Sequence, residues 1–376
     1  LEQRKVRFDF ADTPLHWVPN EPEASHIMNS LHLILPAGEF WFCRVYNKAL
    51  PLVRDPQLRE DVQGFVKQEA QHARAHDSAL TPYLLRHGID PTPFTGPIHW
   101  LFDRVLCDFP LGNNAISRWL QPWWLRQRVG LIAAVEHFTC VLGDWIITTR
   151  SLDHADPVML DLLRWHGAEE VEHRSVAHDL HVHIGGSVLM RWVYMLIATP
   201  ALIFLFSSGM KTMMRQDPVT RYRPGFLYLW YQLGKRGLLP RMGSIGRSVL
   251  RYFNPSYHPR SEGDIRVALD YLANSPAAQR AAGSSDFEWM DALIFLVFAV
   301  PMLSGLLRGM FGNKLGTLLT GASAGAIAWV LTAVVWIAVG AGLLWTAAAQ
   351  AQKFEGEARD FAILQEPGSE AWRAAL

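Results

Sequence analysis

Glu169-Glu170-Val171-Glu172-His173 is the stretch on which the reading of this chain turns. Glu170 and His173 stand three residues apart, so a helix presents both on one side, where a carboxylate and an imidazole can reach the same metal ion. A shorter echo occurs at Glu69-Ala70-Gln71-His72. Upstream of each pair sits one isolated glutamate among apolar residues, Glu39 before the first and Glu136 before the second. The separations are 30 residues from Glu39 to Glu69 and 34 from Glu136 to Glu170, which suits two antiparallel helices joined by a short loop. The chain therefore predicts two helical hairpins, each with a lone Glu on its first helix and Glu-x-x-His on its second.

Punctuation by proline, aspartate and glycine places those helices. A buried helix is expected over 24–50, closed by Pro51. Asp55-Pro56 opens a second, which ends near Gly88. A proline-rich connection over 89–122 leads to a third helix over 122–150, and Asp156-Pro157 opens a fourth, running to about 184 before Gly185-Gly186. Residues 1–24, with Pro14, Pro19 and Pro22, read as an irregular arm. The fold class that follows is all-α: a ferritin-like four-helix bundle over 25–187, with a longer crossover between its hairpins.

Beyond residue 187 the composition changes. Residues 188–206 are almost wholly apolar apart from Arg191, with Pro200 interrupting them. Residues 209–266 carry a net charge of +8 among Phe226, Tyr228, Trp230, Tyr231, Tyr252 and Phe253, a mixture suited to an anionic membrane surface. The segment 188–291 is accordingly expected to be membrane-interfacial. Residues 292–349 read as a transmembrane hairpin whose second run, 315–349, has no charged residue, and 350–376 as an acidic solvated tail. Mean hydropathy is slightly positive at +0.06. The 35 basic and 35 acidic side chains cancel, so overall charge implies no nucleic-acid partner. Cys43, Cys107 and Cys140 form no Cys-x-x-Cys pair, and no apolar signal segment follows the charged start.

Buried glutamates need partners, and two divalent cations would supply them. The expected metal ligands, through which catalysis would run, are Glu39, Glu69, His72, Glu136, Glu170 and His173, with Glu69 and Glu170 as bridges. Glu169 competes with Glu170, because it stands four residues from His173. His76 and His166 fall on the metal-facing sides of their helices as additional ligands or supporting donors, whereas Tyr46, two turns from Glu39, reads as core or as a redox-active tyrosine. Mixed oxygen and nitrogen ligation favours two iron ions, or manganese, over zinc.

The pattern Gly38-Glu39, Glu69-x-x-His72, Glu136-His137 and Glu169-Glu170-x-Glu172-His173 resembles a bacterial family of predicted metal-dependent hydrolases over roughly 25–190. More broadly it is similar to the ferritin-like di-iron carboxylate superfamily of desaturases, oxygenases and ribonucleotide reductase small subunits. With a bacterial family implied, the expected location is the bacterial cytoplasmic membrane, and the metal domain is expected to face the cytoplasm because positive charge such as that of 209–266 is favoured on that side. The leading expectation is an oxidoreductase that uses O2 to hydroxylate or desaturate a lipid or fatty-acyl-like substrate. It would draw electrons from a separate donor, since the sequence has no Gly-x-Gly-x-x-Gly fingerprint or iron–sulfur cysteine cluster. The alternatives are a two-metal hydrolase of a lipid ester or phosphoester, and a membrane-tethered module handling iron or peroxide. An oligomer is compatible with all three.

Overall fold

The computed structural model describes residues 1–220 and 225–283, in which every regular element is helical. The expected transmembrane hairpin over 292–349 and the tail over 350–376 lie outside the described residues, as do the last residues of the expected interfacial segment. Leu1–Ser285 forms one compact unit.

Helices α1 (Pro22–Ala49) and α2 (Pro56–Arg86) make the first hairpin. Pro22 and Pro56 both stand in the first helical turn, where the missing N–H costs nothing. Asp55 caps α2 by accepting from the Leu58 N–H at 2.8 Å. The chain leaves α2 through Gly88 at φ +77, a left-handed conformation that glycine adopts without strain. After α3 (Thr92–Trp100) and a single π-helical turn, Leu101–Val105, the second hairpin comprises α4 (Ala115–Thr148) and α5 (Pro157–Glu172).

Two helix boundaries differ from the sequence reading. α4 begins at Ala115 because the Asn114 side chain accepts from the Ser117 N–H at 2.9 Å, leaving Pro122 inside the helix. The fourth helix stops at Glu172. His173 closes its last turn, and α6 (Val176–His183) starts as a separate piece.

Helix α7 (Val188–Gln216) runs through Pro200 and packs against α1 and α4. Arg191 finds its partners inside the protein. Its guanidinium is buried and donates to the carbonyls of Asn254 and Tyr257 at 2.6 and 3.0 Å. α8 (Phe226–Lys235), α9 (Met242–Tyr252), α10 (Ile265–Asn274) and α11 (Pro276–Gly283) follow. α10 and α11 are anchored on α5 by the buried Asp161 carboxylate, which accepts from Tyr271 Oη, Ser275 Oγ and the Ala277 N–H. Among the described residues two helices, α4 and α7, are long and apolar enough to cross a membrane. In α4, 56% of the most apolar window is buried, against 22% in α7. The apolar residues of α4 belong mainly to the core, whereas much of α7 is left uncovered.

Candidate metal centre

Each of α1, α2, α4 and α5 brings a buried carboxylate to the space between the hairpins. Glu39 comes from α1, Glu69 from α2, Glu136 from α4 and Glu170 from α5, none more than 3% exposed. They form two clusters with buried imidazoles, one of Glu39, His72, His166 and Glu170, the other of Glu69, Glu136, Glu170 and His173. Within each cluster the potential ligand atoms lie within 4.8 Å of one another.

Glu170 belongs to both clusters, and divides its oxygens between them. Oε1 faces the first, 2.7 Å from His166 Nε2 and 3.4 Å from His72 Nδ1. Oε2 faces the second, 3.3 Å from His173 Nε2. That same nitrogen is 3.3 Å from both Glu69 Oε1 and Glu136 Oε2. Glu69 groups with the second cluster, yet its Oε1 also stands 3.7 Å from His72 Nδ1. His166 contributes a second imidazole to the first cluster, and its Nε2 is 3.5 Å from Glu39 Oε1.

Whether these residues fit metal ions can be tested on their hydrogen bonds. Both oxygens of Glu39, Glu69 and Glu136, with Glu170 Oε2, His72 Nδ1 and His173 Nε2, are buried and have no hydrogen-bond partner. Leaving so many polar atoms unpaired would cost about 1–3 kcal/mol each. Donors about 2.1 Å from one cation stand roughly 3–3.5 Å apart, close to the separations between these atoms. The residues fit two divalent cations.

A second layer orients the imidazoles. His72 Nε2–H donates to Glu169 Oε2 at 2.8 Å, so Nδ1 faces inward. His173 Nδ1–H donates to Gln68 Oε1 at 3.1 Å, so Nε2 faces inward. The Gln68 amide in turn donates to Glu172 Oε2 at 2.7 Å. Arg4, from the N-terminal arm, ties this layer together by donating to Glu169 Oε1 at 2.9 Å and Glu172 Oε2 at 3.1 Å. On the other side His166 Nδ1 lies 2.7 Å from His76 Nε2, and His76 Nδ1 lies 2.8 Å from His32 Nδ1. Glu169 thus supports His72 and is absent from both clusters, and His76 supports His166.

Without cations the centre holds protons instead. Burial, reinforced by neighbouring carboxylates, raises Glu39 and Glu69 well above the usual carboxylate range. Burial also opposes charge on His72 and His173, but their contacts with carboxylates outweigh it and push them up to about 9 and about 10. For Glu170 burial again acts upward, and the neighbouring His173 and His166 overcome it, holding the carboxylate well below its ordinary value.

Tyr46 is fully buried and stacks on Phe65 at 4.8 Å between ring centroids, and Phe65 in turn meets His173 edge to face at 4.7 Å. Sequence reasoning missed Arg4, Gln68 and His32. A signal for His32 existed, since it lies seven residues before Glu39 on the same face of α1. For Arg4 there was none. Close helix approach completes the site: a Cβ on Gly143 of α4 would stand 2.4 Å from the Gly167 carbonyl oxygen of α5. Beside these glycines an apolar cavity of about 60 Å³ reaches His166 and Glu170.

A family model described as predicted metal-dependent hydrolase matches residues 2–263, which include the arm bearing Arg4, both hairpins, and α7 to α9. The chain belongs to that family. No curated protein and no solved structure matches it. Membership corrects the expectation of an O2-dependent oxidoreductase that hydroxylates or desaturates its substrate, because the family is one of predicted hydrolases. The requirement for O2 and an electron donor falls with that expectation. Ligand types could not have made the distinction: carboxylates and imidazoles set the charge and number of the cations, and a two-metal centre serves either chemistry.

Proposed function

We propose that the chain is a two-metal hydrolase acting on an ester or phosphoester of a hydrophobic molecule, at a membrane with which α7 associates. The hydrolytic part is carried by the family match over residues 2–263, and the two cation positions by the division of Glu170 between the clusters, one oxygen to each. Glu39, His72 and His166 would hold one cation with Glu170, and Glu69, Glu136 and His173 the other. Iron(II) or manganese suits this oxygen-rich donor set better than zinc. Bound there, the pair supplies positive charge for the oxygen of the scissile bond and an acidified water.

The chain's own residues do the rest. Glu170 sets the spacing of the two positions. Glu169 and Gln68 fix the tautomers of His72 and His173, which keeps the inward nitrogens free of protons when the cations bind. His76 performs the same service for His166. Leu163, Trp145 and Ile146, in the cavity wall, restrict water around His166 and Glu170.

The test uses the full chain in lipid nanodiscs, stripped of metal and reloaded with manganese or iron(II) under nitrogen. Hydrolysis of p-nitrophenyl acyl esters and p-nitrophenyl phosphodiesters is followed by absorbance. The expected result is cleavage of one class without O2 or reductant, abolished by chelation and reduced at least about 100-fold in Glu170→Ala. Cleavage that survives both treatments would sink the reading.

A further inference from the structure

Next to the metal centre the molecule holds a second apolar cavity, of about 160 Å³, between α1, α4, α7, α8 and α9. It shares the walls Leu31, Leu35, Thr139, Leu142, Phe206 and Trp230 with the smaller cavity that touches His166 and Glu170. We infer that the two form one passage, which takes a single unbranched acyl chain of a membrane lipid and brings its polar end to the His166–Glu170 edge of the centre. This rests on the hydrolase reading for the chemistry at the inner end.

The outer wall offers nothing to a polar ligand. Its hydroxyls, on Thr139 and Thr199, donate to the carbonyls of Glu136 and Met195 in their own helices at 3.1 and 2.7 Å. The Trp230 indole N–H donates to the Pro240 carbonyl at 2.9 Å. All three side-chain donors of that wall are engaged, and the remaining lining is aliphatic, phenyl or the Met242 thioether. A guest gains there by burying apolar surface. Polar partners begin only at His166 and Glu170.

The outer end faces the surface where lipid would lie. Ile203, Leu227 and Met242 line the cavity and are 39%, 49% and 40% exposed. Along α7 the adjoining surface continues with Leu196 and Phe204, 64% and 69% exposed. An uncovered apolar face of this kind marks an interaction surface. Arg241, exposed at the start of α9 next to the cavity-lining Met242, is placed to meet phosphate headgroups. Phe206 and Trp230, in edge-to-face contact at 5.8 Å, stand where the two cavities join.

The test titrates the full chain in phosphatidylcholine nanodiscs with 9,10-dibromostearate, whose bromines quench tryptophans they touch. Expected is a saturable quenching component that is reduced in Trp230→Phe and lost when Trp145→Phe is added, both tryptophans lining the passage. In Leu142→Trp, which fills the junction, binding weakens at least about tenfold while metal content stays at the wild-type value. Phe206→Ala, which widens the junction, shifts the preferred chain to longer or bulkier acids and guards against misfolding of the first variant. Quenching that is non-saturable, or unchanged in both Leu142→Trp and Phe206→Ala, overturns the passage. Titrating both the chelated and the manganese-loaded protein separates the two readings: the acyl chain binds in either state, so saturable binding by metal-loaded protein that cleaves neither ester class upholds the passage and removes the hydrolase.

Discussion

Glu169 Oε2 accepts from His72 Nε2 at 2.8 Å while its Oε1 receives Arg4 at 2.9 Å, so one buried carboxylate of α5 links an imidazole of α2 to the arm. Replacing Glu169 by Gln keeps the shape but allows the amide to turn either way toward Nε2. We expect Glu169→Gln to weaken metal binding about 10–100-fold, as supporting partners of ligating histidines usually do. Chelator competition measures this. Wild-type affinity in the variant would show that His72 needs no such support.

Removing a shared ligand should differ from removing an unshared one. Glu170→Ala is expected to lose both cations, and Glu39→Ala to keep the one held by Glu69, Glu136 and His173. Elemental analysis of protein purified without O2 gives the stoichiometry. Equal metal content in the two variants would contradict the assignment of Glu170 to both clusters.

The protons held by the metal-free centre make its stability depend on pH. Glu39 and Glu69 have raised folded values, so their contribution is complete below the ordinary carboxylate range and is lost as pH rises through the raised values. His72 and His173, raised to about 9 and about 10, act in the same direction between roughly pH 6.5 and those values. The opposing effect of Glu170, held low, is lost only under more acidic conditions than these. Cation binding requires the same groups to give up protons. Below about pH 6.5 buried histidines act the other way, since burial holds His32 and His137 at about 3 and His181 at about 4. The Tm of the chelated protein is therefore expected to fall from about pH 7 to about pH 8.5, and the increase in Tm on adding manganese to grow over that interval. Scanning calorimetry with and without chelator checks both; a manganese effect larger at the lower pH would be incompatible with protonated ligands.

Gly143 and Gly167 test the packing that brings α4 to α5. Gly143→Ala would drive a methyl against a backbone carbonyl at 2.4 Å, where no side chain can move aside. A loss of about 1–3 kcal/mol in denaturant unfolding is expected, the usual range for overpacking. Gly88→Ala meets no atom within 4 Å but stands at φ +77, so its smaller loss would come from backbone strain alone.

Much of this was legible because helices convert spacing into direction. Glu-x-x-His pairs, lone apolar glutamates and Asp-Pro openings are local signals, and the helical class and the grouping of Glu39, Glu136 and Glu170 with their histidines follow from them. Interactions between distant segments were not legible. Arg4 meets Glu169 across 165 residues, and nothing near Arg4 announces it. Arg191 read as a charge that holds an apolar run at a lipid surface, since sequence could not show the carbonyls of Asn254 and Tyr257 waiting for it. The division of the fourth helix at His173 was hidden too, because the residues around it contain neither Gly nor Pro.

Because one Glu170 oxygen faces each cluster, the two binding events are thermodynamically linked. A first cation would fix the carboxylate and displace protons shared by both clusters, and each ion would change the affinity for the other by the same factor. A factor favouring the second ion would make the binding isotherm sigmoidal. Loss of one ion under scarcity would tend to empty the pair, making the centre respond to metal supply as a threshold.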